Sequence, residues 1–266
     1  MRKRSSFASA NKAWWEKMVR EKCGFTVPWL DLDHAVLEKL ADGKLKKVPE
    51  QLLDIFPVSV LKHVKGKDVL CLASGGGQQS AVFGLLGARV TVVDIAEGQL
   101  AGDRKAAEHC GYRVTTIQGD MSDLSALKAN SFDLVYQAPS MAYTPDVRKV
   151  YGEVARVLRP RGLYRADAAD PLSQFINEAS WDGKGYRISV PFAVKKMKRA
   201  KDKNVFEFRH YLSEAFNSLI EYGFIIEHVE EASADLYQNG ESRPGSWEHL
   251  LLYAPGLFAI LARKKK

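Results

Sequence analysis

Val69-Leu70-Cys71-Leu72-Ala73-Ser74-Gly75-Gly76-Gly77-Gln78-Gln79-Ser80 is the stretch that decides the fold. An apolar run closes in three glycines and then turns amphipathic, which reads as a buried parallel strand, a tight turn and a helix N-terminus. One helix later, Val90-Thr91-Val92-Val93-Asp94 repeats the strand and ends it in a carboxylate. Glycine admits a ligand where a Cβ would collide, and an acid roughly 20 residues on is placed to accept both hydroxyls of a ribose. A nucleotide-like ligand is therefore expected at this turn. The competing account is a structural strand-turn-helix unit, in which a glycine triplet would cost backbone entropy for no return.

Two nucleotide chemistries remain open at this point. The dinucleotide pattern G-x-G-x-x-G, set in register from Gly75, gives Gly75, Gly77 and then Ser80, so the third glycine is missing. Further on, Val114-Thr115-Thr116-Ile117-Gln118-Gly119-Asp120-Met121 forms a third strand ending in an acid, and Phe132-Asp133-Leu134-Val135-Tyr136-Gln137-Ala138 a fourth. As an ordered set, residues from about 67 to 163 resemble the class I S-adenosylmethionine-dependent methyltransferases, within them the small-molecule group that includes the ubiquinone and menaquinone methyltransferases.

That resemblance implies an α/β fold, a doubly wound, mainly parallel seven-stranded sheet of the Rossmann-like methyltransferase type with a helical N-terminal cap. It implies S-adenosylmethionine as cofactor and a small molecule as methyl acceptor. Ala73, Ser74, Gly75 and Gly77 would line the methionine and ribose, Asp94 would hold the ribose hydroxyls, and Ile95 would flank the adenine. Asp120 and Met121 would meet the adenine edge and face, with the backbone of Gln137 and Ala138 beneath the methionine end. Asp120 has a second reading, as a helix cap for Ser122 onward. Two departures from the family pattern stand out. Cys71 replaces the usual acid of the first strand, so that Gln78, Gln79 or carbonyls near Ala73 must hold the donor's ammonium group. Ala73 replaces the first glycine and therefore calls for a turn that keeps its φ negative.

At 266 residues the chain has room for one large domain with a good core. With 46% hydrophobic and 27% charged residues it reads as an ordinary globular protein. The net charge of +7 invites a nucleic-acid reading, but its placement argues otherwise: residues 2–4 carry +3, 195–203 carry +5 and 263–266 carry +4, leaving −5 for the remainder. Solvated tails and one loop account for that pattern. Three cysteines, Cys23, Cys71 and Cys110, without C-x-x-C or His-Cys spacing, point away from a disulfide framework or a metal site and towards a reducing, cytoplasmic setting. The longest apolar run, 250–262, is broken by Pro255 and Gly256 and is too short to span a bilayer, and the basic N-terminus lacks the apolar stretch of a signal peptide.

Residues 1–65 are read as a helical cap: a frayed start, a helix from Asn11 to Lys22 capped by Asn11, a second from Asp31 to about Leu40 capped by Asp31, and a third around Pro49 to Phe56. Residues 66–266 form the cofactor-binding domain. Strands are expected near 67–72, 89–94, 113–118, 132–137 and 161–167, with helices near 78–86, 97–110, 123–128 and 146–158. Such alternation implies right-handed crossovers and helices on both sheet faces. An insertion of about 170–205 follows, then a strand at 204–210, a helix at 212–222 and two closing strands at 224–229 and 257–263 that resemble the family's antiparallel hairpin.

The catalytic residue is not legible. His249 and His210, set among aromatics after the core, and Tyr143, just after the fourth strand, are the candidates, and a satisfied structural histidine is the plainer reading of both histidines. Trp14 and Trp15 cannot share one helical stripe, so one of them is expected at an acceptor pocket together with Tyr143 and Trp181. Three rivals stay in view. A nicotinamide-dependent oxidoreductase would want the missing glycine. A nucleic-acid-directed methyltransferase or binding module would want Asn-Pro-Pro-Tyr or Asp-Pro-Pro-Tyr where Gln137-Ala138-Pro139-Ser140 stands. A thiol or halide acceptor has only Trp15-Glu16-Lys17 and Pro28-Trp29 in its favour.

Overall fold

The computed structural model describes residues 6–53, 55, 57–198, 205–231 and 242–266. The basic residues 2–4, the lysine-rich stretch from 199 to 203 and position 204 of the expected strand lie outside them.

Seven strands form one sheet in the order β3-β2-β1-β4-β5-β9-β8. They are β1 (Asp68–Leu72), β2 (Arg89–Asp94), β3 (Val114–Gln118), β4 (Phe132–Gln137), β5 (Leu158–Ala169), β8 (Phe224–Glu231) and β9 (Leu257–Lys264). The first five are parallel, while β9 runs antiparallel to both β5 and β8, which makes the closing hairpin. The connecting helices are α3 (Gln79–Leu85), α4 (Glu97–Cys110), α5 (Val147–Val157) and α6 (Leu212–Glu221), preceded by α1 (Ser6–Arg20) and α2 (His34–Ala41). Short strands β6 (Lys196–Lys198) and β7 (Phe206–Phe208) pair antiparallel in the insertion, and α7 (Trp247–Leu250) precedes the last strand.

The central strands β1, β2 and β4 are mostly apolar and buried because both of their faces are covered. One face packs Leu70, Leu72, Val135 and Tyr164 against Val150, Val154, Ala215 and Leu219 of α5 and α6. The other packs Val69, Cys71, Val92 and Tyr136 against Leu37, Leu40, Val82 and Phe83 of α2 and α3. Among the described residues no helix is long and apolar enough to cross a membrane.

The structure corrects several local expectations. α1 begins at Ser6, so Asn11 lies inside it and its amide donates to Tyr143 O at 3.0 Å instead of capping. The cap of α2 is Asp33, whose Oδ1 accepts from Ala35 N and Val36 N, not Asp31. The stretch around 49–61 holds two 3-10 turns, Glu50–Leu52 and Val58–Leu61, rather than one helix. No helix forms at 123–128, where the Asp120 and Asp123 carboxylates close turns on Ser122 N and Ser125 N; acids that bond the backbone two residues ahead compete with a helix.

Candidate functional site

Leu72 of β1 is level with Val93 of β2 and Gln137 of β4, so Ala73, Asp94 and Gln137 leave the sheet at one edge. β1 and β4 flank the point where strand order reverses, where open sheets of this kind bind ligands.

Ala73 bends away from β1 with φ +46, contrary to the negative φ expected of it, while its N–H still donates to Val93 O at 2.8 Å. A left-handed alanine is held only where its surroundings over-determine it. Here those surroundings are the glycine triplet, wedged between α4 and the cap. A Cβ on Gly75 would sit 2.6 Å from Gln99 Cβ, one on Gly76 2.8 Å from Phe25 O, and one on Gly77 2.6 Å from Gly102 O.

All three N–H groups of the triplet are taken by carboxylates. Gly75 N donates to Asp94 Oδ2 at 3.0 Å, Gly76 N to Asp103 Oδ2 at 3.1 Å and Gly77 N to Asp103 Oδ1 at 3.1 Å. Ser80 Oγ completes the set on Asp103 Oδ1 at 2.5 Å. Burial pushes the Asp94 carboxyl up to about 6 against the opposing bonds from Ala96 and Gly75, and pushes Asp103 up to about 7 against those from Ser80, Gly76 and Gly77. The consequence is chemical. Loops that hold a pyrophosphate do so through free N–H groups. Here a pyrophosphate would have to displace two buried acids of its own sign. A ligand that is cationic and brings a ribose meets no such obstacle, because Asp94 still has acceptor capacity at both oxygens.

The cap is fastened onto this loop. Gln78 Nε2 donates to Gly24 O at 2.7 Å and to Val27 O at 3.1 Å, and Trp29 N donates to Gly77 O at 3.1 Å. The Gln78 amide, expected at the ligand, is thus occupied with the cap. Ser74 Oγ donates to Gln79 Oε1 at 2.9 Å. From α1, Glu16 Oε1 accepts from Glu97 N at 2.8 Å, which places a carboxylate at the N-terminus of α4, where the helix dipole favours it.

The remaining expected positions follow the strand ends. Gly119 N bonds Asp94 O at 2.9 Å, which ties the end of β3 to that of β2, and Gln118 Nε2 holds Ile95 O at 3.1 Å. Asp120 Oδ1 accepts from Ser122 N and Oγ and so closes a turn; with no helix after it, the helix-cap reading of Asp120 does not hold. Met121 Sδ lies 3.4 Å from Gln137 Nε2. The Gln137 side chain is fully enclosed, bonded to Ser140 Oγ and to the Tyr164 hydroxyl, so only its backbone and that of Ala138 remain for a ligand.

The structure brings Trp14, Trp15 and Tyr143 together. The two indole centroids are 4.7 Å apart and each is 6.0 Å from the Tyr143 ring, so adjacent tryptophans do share one cluster, by turning both rings onto the tyrosine. Trp181 joins a different group, packed at 4.6 Å on His249 and about equally on Tyr186 and Tyr253 at 5.1 Å. His249 Nδ1 and the Tyr186 hydroxyl share a 2.6 Å hydrogen bond. His210 Nε2 donates to Thr144 O at 2.9 Å and Met141 O at 3.2 Å, and burial lowers its pKa, as suits a neutral structural histidine.

Asp103 escaped the sequence reading, while in sequence Asn11 reads only as a helix cap and Glu16 only as part of a Trp-Glu-Lys stretch. A sign of Asp103 was available: Gln99, Leu100, Asp103, Ala106 and Ala107 are the buried stripe of α4, and an acid on such a stripe needs a partner.

A family model described as a methyltransferase domain matches residues 70–166. The uncharacterized methyltransferase YbaJ of Bacillus subtilis is 32% identical over 239 residues, spanning 84% of this chain and 89% of that protein. A ubiquinone biosynthesis O-methyltransferase of Actinobacillus pleuropneumoniae is 32% identical over 102 residues, 37% of this chain and 44% of that protein, so the chain matches less than half of its length. Among solved structures, an S-adenosylmethionine-dependent methyltransferase from Mesorhizobium loti superposes with a TM-score of 0.63 at 27% identity, covering 77% of this chain and 94% of that one.

Proposed function

The chain belongs to the class I S-adenosylmethionine-dependent methyltransferases, and from that premise we propose that its methyl acceptor is a small molecule received beneath α1. The observation that carries this reading is the lid: Trp14, Trp15 and Tyr143 form one aromatic group between the N-terminal helix and the loop after β4, and Asn11 pins that helix to Tyr143 O. An extended macromolecule would need this edge open. The ubiquinone biosynthesis relative, which by its name serves a small-molecule pathway, agrees with the reading.

S-adenosylmethionine supplies the methyl group as a sulfonium electrophile, so the protein's main work is alignment and exclusion of water. Asp94 would accept the ribose hydroxyls, Ile95 would flank the adenine, and Asp120 with Met121 would meet its edge and face. Ala73, Ser74, Gly75 and Gly77 line the approach, with the backbone of Gln137 and Ala138 below it. With Gln78 holding the cap, the ammonium group falls to Gln79 Oε1 and carbonyls near Ala73. The buried acids behind the loop favour the cationic donor over its neutral-sulfur product, which helps product release. Trp14, Trp15 and Tyr143 cover the acceptor. Trp181 and His249, packed on one another, close the insertion side, and His210 positions the Met141–Thr144 turn. We assign no general base.

The experiment is methyl transfer from tritium-labelled S-adenosylmethionine in a cell extract, fractionated by size. Label is expected in the small-molecule fraction, and removal of residues 1–30 should abolish it while the cofactor still binds. Label confined to RNA or protein would overturn the reading.

A further inference from the structure

Arg209, directly after β7, is a buried cation without a counter-ion among the described residues. It is 2% exposed. The guanidinium's hydrogen bonds to the described residues all leave from Nη1, to Pro191 O at 3.0 Å, Phe192 O at 2.7 Å and Val194 O at 3.3 Å. Nε is buried and has no hydrogen-bond partner among the described residues. The rings of Phe175 and Phe192 flank the guanidinium at 4.4 and 5.2 Å from its central carbon. Burial pulls its pKa down, and among the described residues no carboxylate opposes that shift.

A guanidinium stays charged at any working pH, and buried charges are ordinarily paired. The carbonyls around Nη1 fix its orientation but do not neutralise it. Among the described residues they leave Nε unpartnered and make no bond to Nη2, and the parallel N–H groups of that edge match the two oxygens of a carboxylate or phosphate. The place is also suggestive. The next residue, His210, is bonded to Met141 O and Thr144 O on either side of Tyr143, so Arg209 belongs to the strand that braces the aromatic lid. Phe192, one of the two rings beside the guanidinium, is itself 50% exposed.

We infer that Arg209 receives an oxyanion of the methyl acceptor, a carboxylate or a phosphate, on its Nε–Nη2 edge, an inference that rests on the small-molecule reading above. The acceptor is then an acid with an apolar body lying towards the lid.

The test uses the full chain saturated with S-adenosylhomocysteine and titrates benzoate, phenyl phosphate and the uncharged benzamide at constant ionic strength, read by calorimetry. At least one anion should bind well above benzamide, and the tighter of the two tells carboxylate from phosphate. Arg209→Met should abolish that preference. Arg209→Lys, which keeps the charge but not the fork, should weaken it by about tenfold or more. Anions binding no better than benzamide, or equally well in Arg209→Met, would overturn the inference. If Arg209→Met does not fold, unchanged affinity in Arg209→Lys does so instead. Homocysteine-ligand binding in the same samples separates the two levels: its retention with no anion response removes only this inference, whereas its loss in the unmodified protein removes the reading beneath it.

Discussion

Asp103 offers the sharpest test of how the glycine loop is held. Its carboxyl is fully enclosed beneath Gly76, Gly77 and Ser80, and burial raises it from 3.8 to about 7. In the unfolded chain it ionises near the ordinary value, so between those limits the folded state binds the extra proton and stability falls as pH rises. At about 1.4 kcal/mol per pKa unit the whole window amounts to roughly 4 kcal/mol, of which roughly 2.5 kcal/mol falls between about pH 5 and about pH 8. Asp103→Asn removes this titration and leaves Asp94, raised to about 6, in both proteins. At acid pH, where the folded protein keeps Asp103 protonated, the variant should be less stable by about 1–3 kcal/mol, because one glycine N–H now faces an amide group in place of an oxygen. Its pH slope should be shallower than that of the unmodified protein, so the two curves converge towards alkaline pH. Urea unfolding followed by far-ultraviolet circular dichroism at four pH values measures both the offset and the slope. Parallel curves would show that Asp103 is not the buried acid that the loop geometry makes it.

Asp94→Ala should weaken S-adenosylhomocysteine by about a hundredfold and Asp120→Ala by about tenfold, since two hydrogen bonds to a charged acceptor are lost in one case and one contact in the other; calorimetric titration ranks them, and equal losses would move the ribose to another strand end. Gln78→Ala should leave the sheet intact but free the cap segment 24–29, because two bonds of about 1 kcal/mol each are removed while Trp29 N to Gly77 O persists. Hydrogen exchange should then speed up in that segment and not in β1, and uniform exchange would show that the amide does not fasten the cap.

Much of this protein was legible without coordinates, for a local reason. Apolar runs such as Val69–Leu72 and Val90–Val93, broken by glycine and ended by acid, carry their meaning within a few residues, so β1, β2, β3, β4 and the exact span of α4 could be read directly. The same holds for Asp94, which follows its strand in sequence and stands beside the glycine turn in space. What stayed hidden depends on residues far apart in the chain. Asp103 looks like one more acid on a charged helix until α4 is laid under the glycine loop. Gln78 reads as a ligand group until the cap delivers two carbonyls to it. Ala73 adopts φ +46 because packing around the triplet overrides its own steric preference, and the expected helix at 123–128 gives way to carboxylates that close turns instead. Arg209 is one of many basic residues in the sequence, and only the tertiary structure buries it, turns Nη1 onto three carbonyls and leaves Nε without a partner among the described residues. Periodicity and glycine placement fixed the frame because they act through short-range sterics, whereas burial of charge, which sets the chemistry of the site, arises only when distant segments meet.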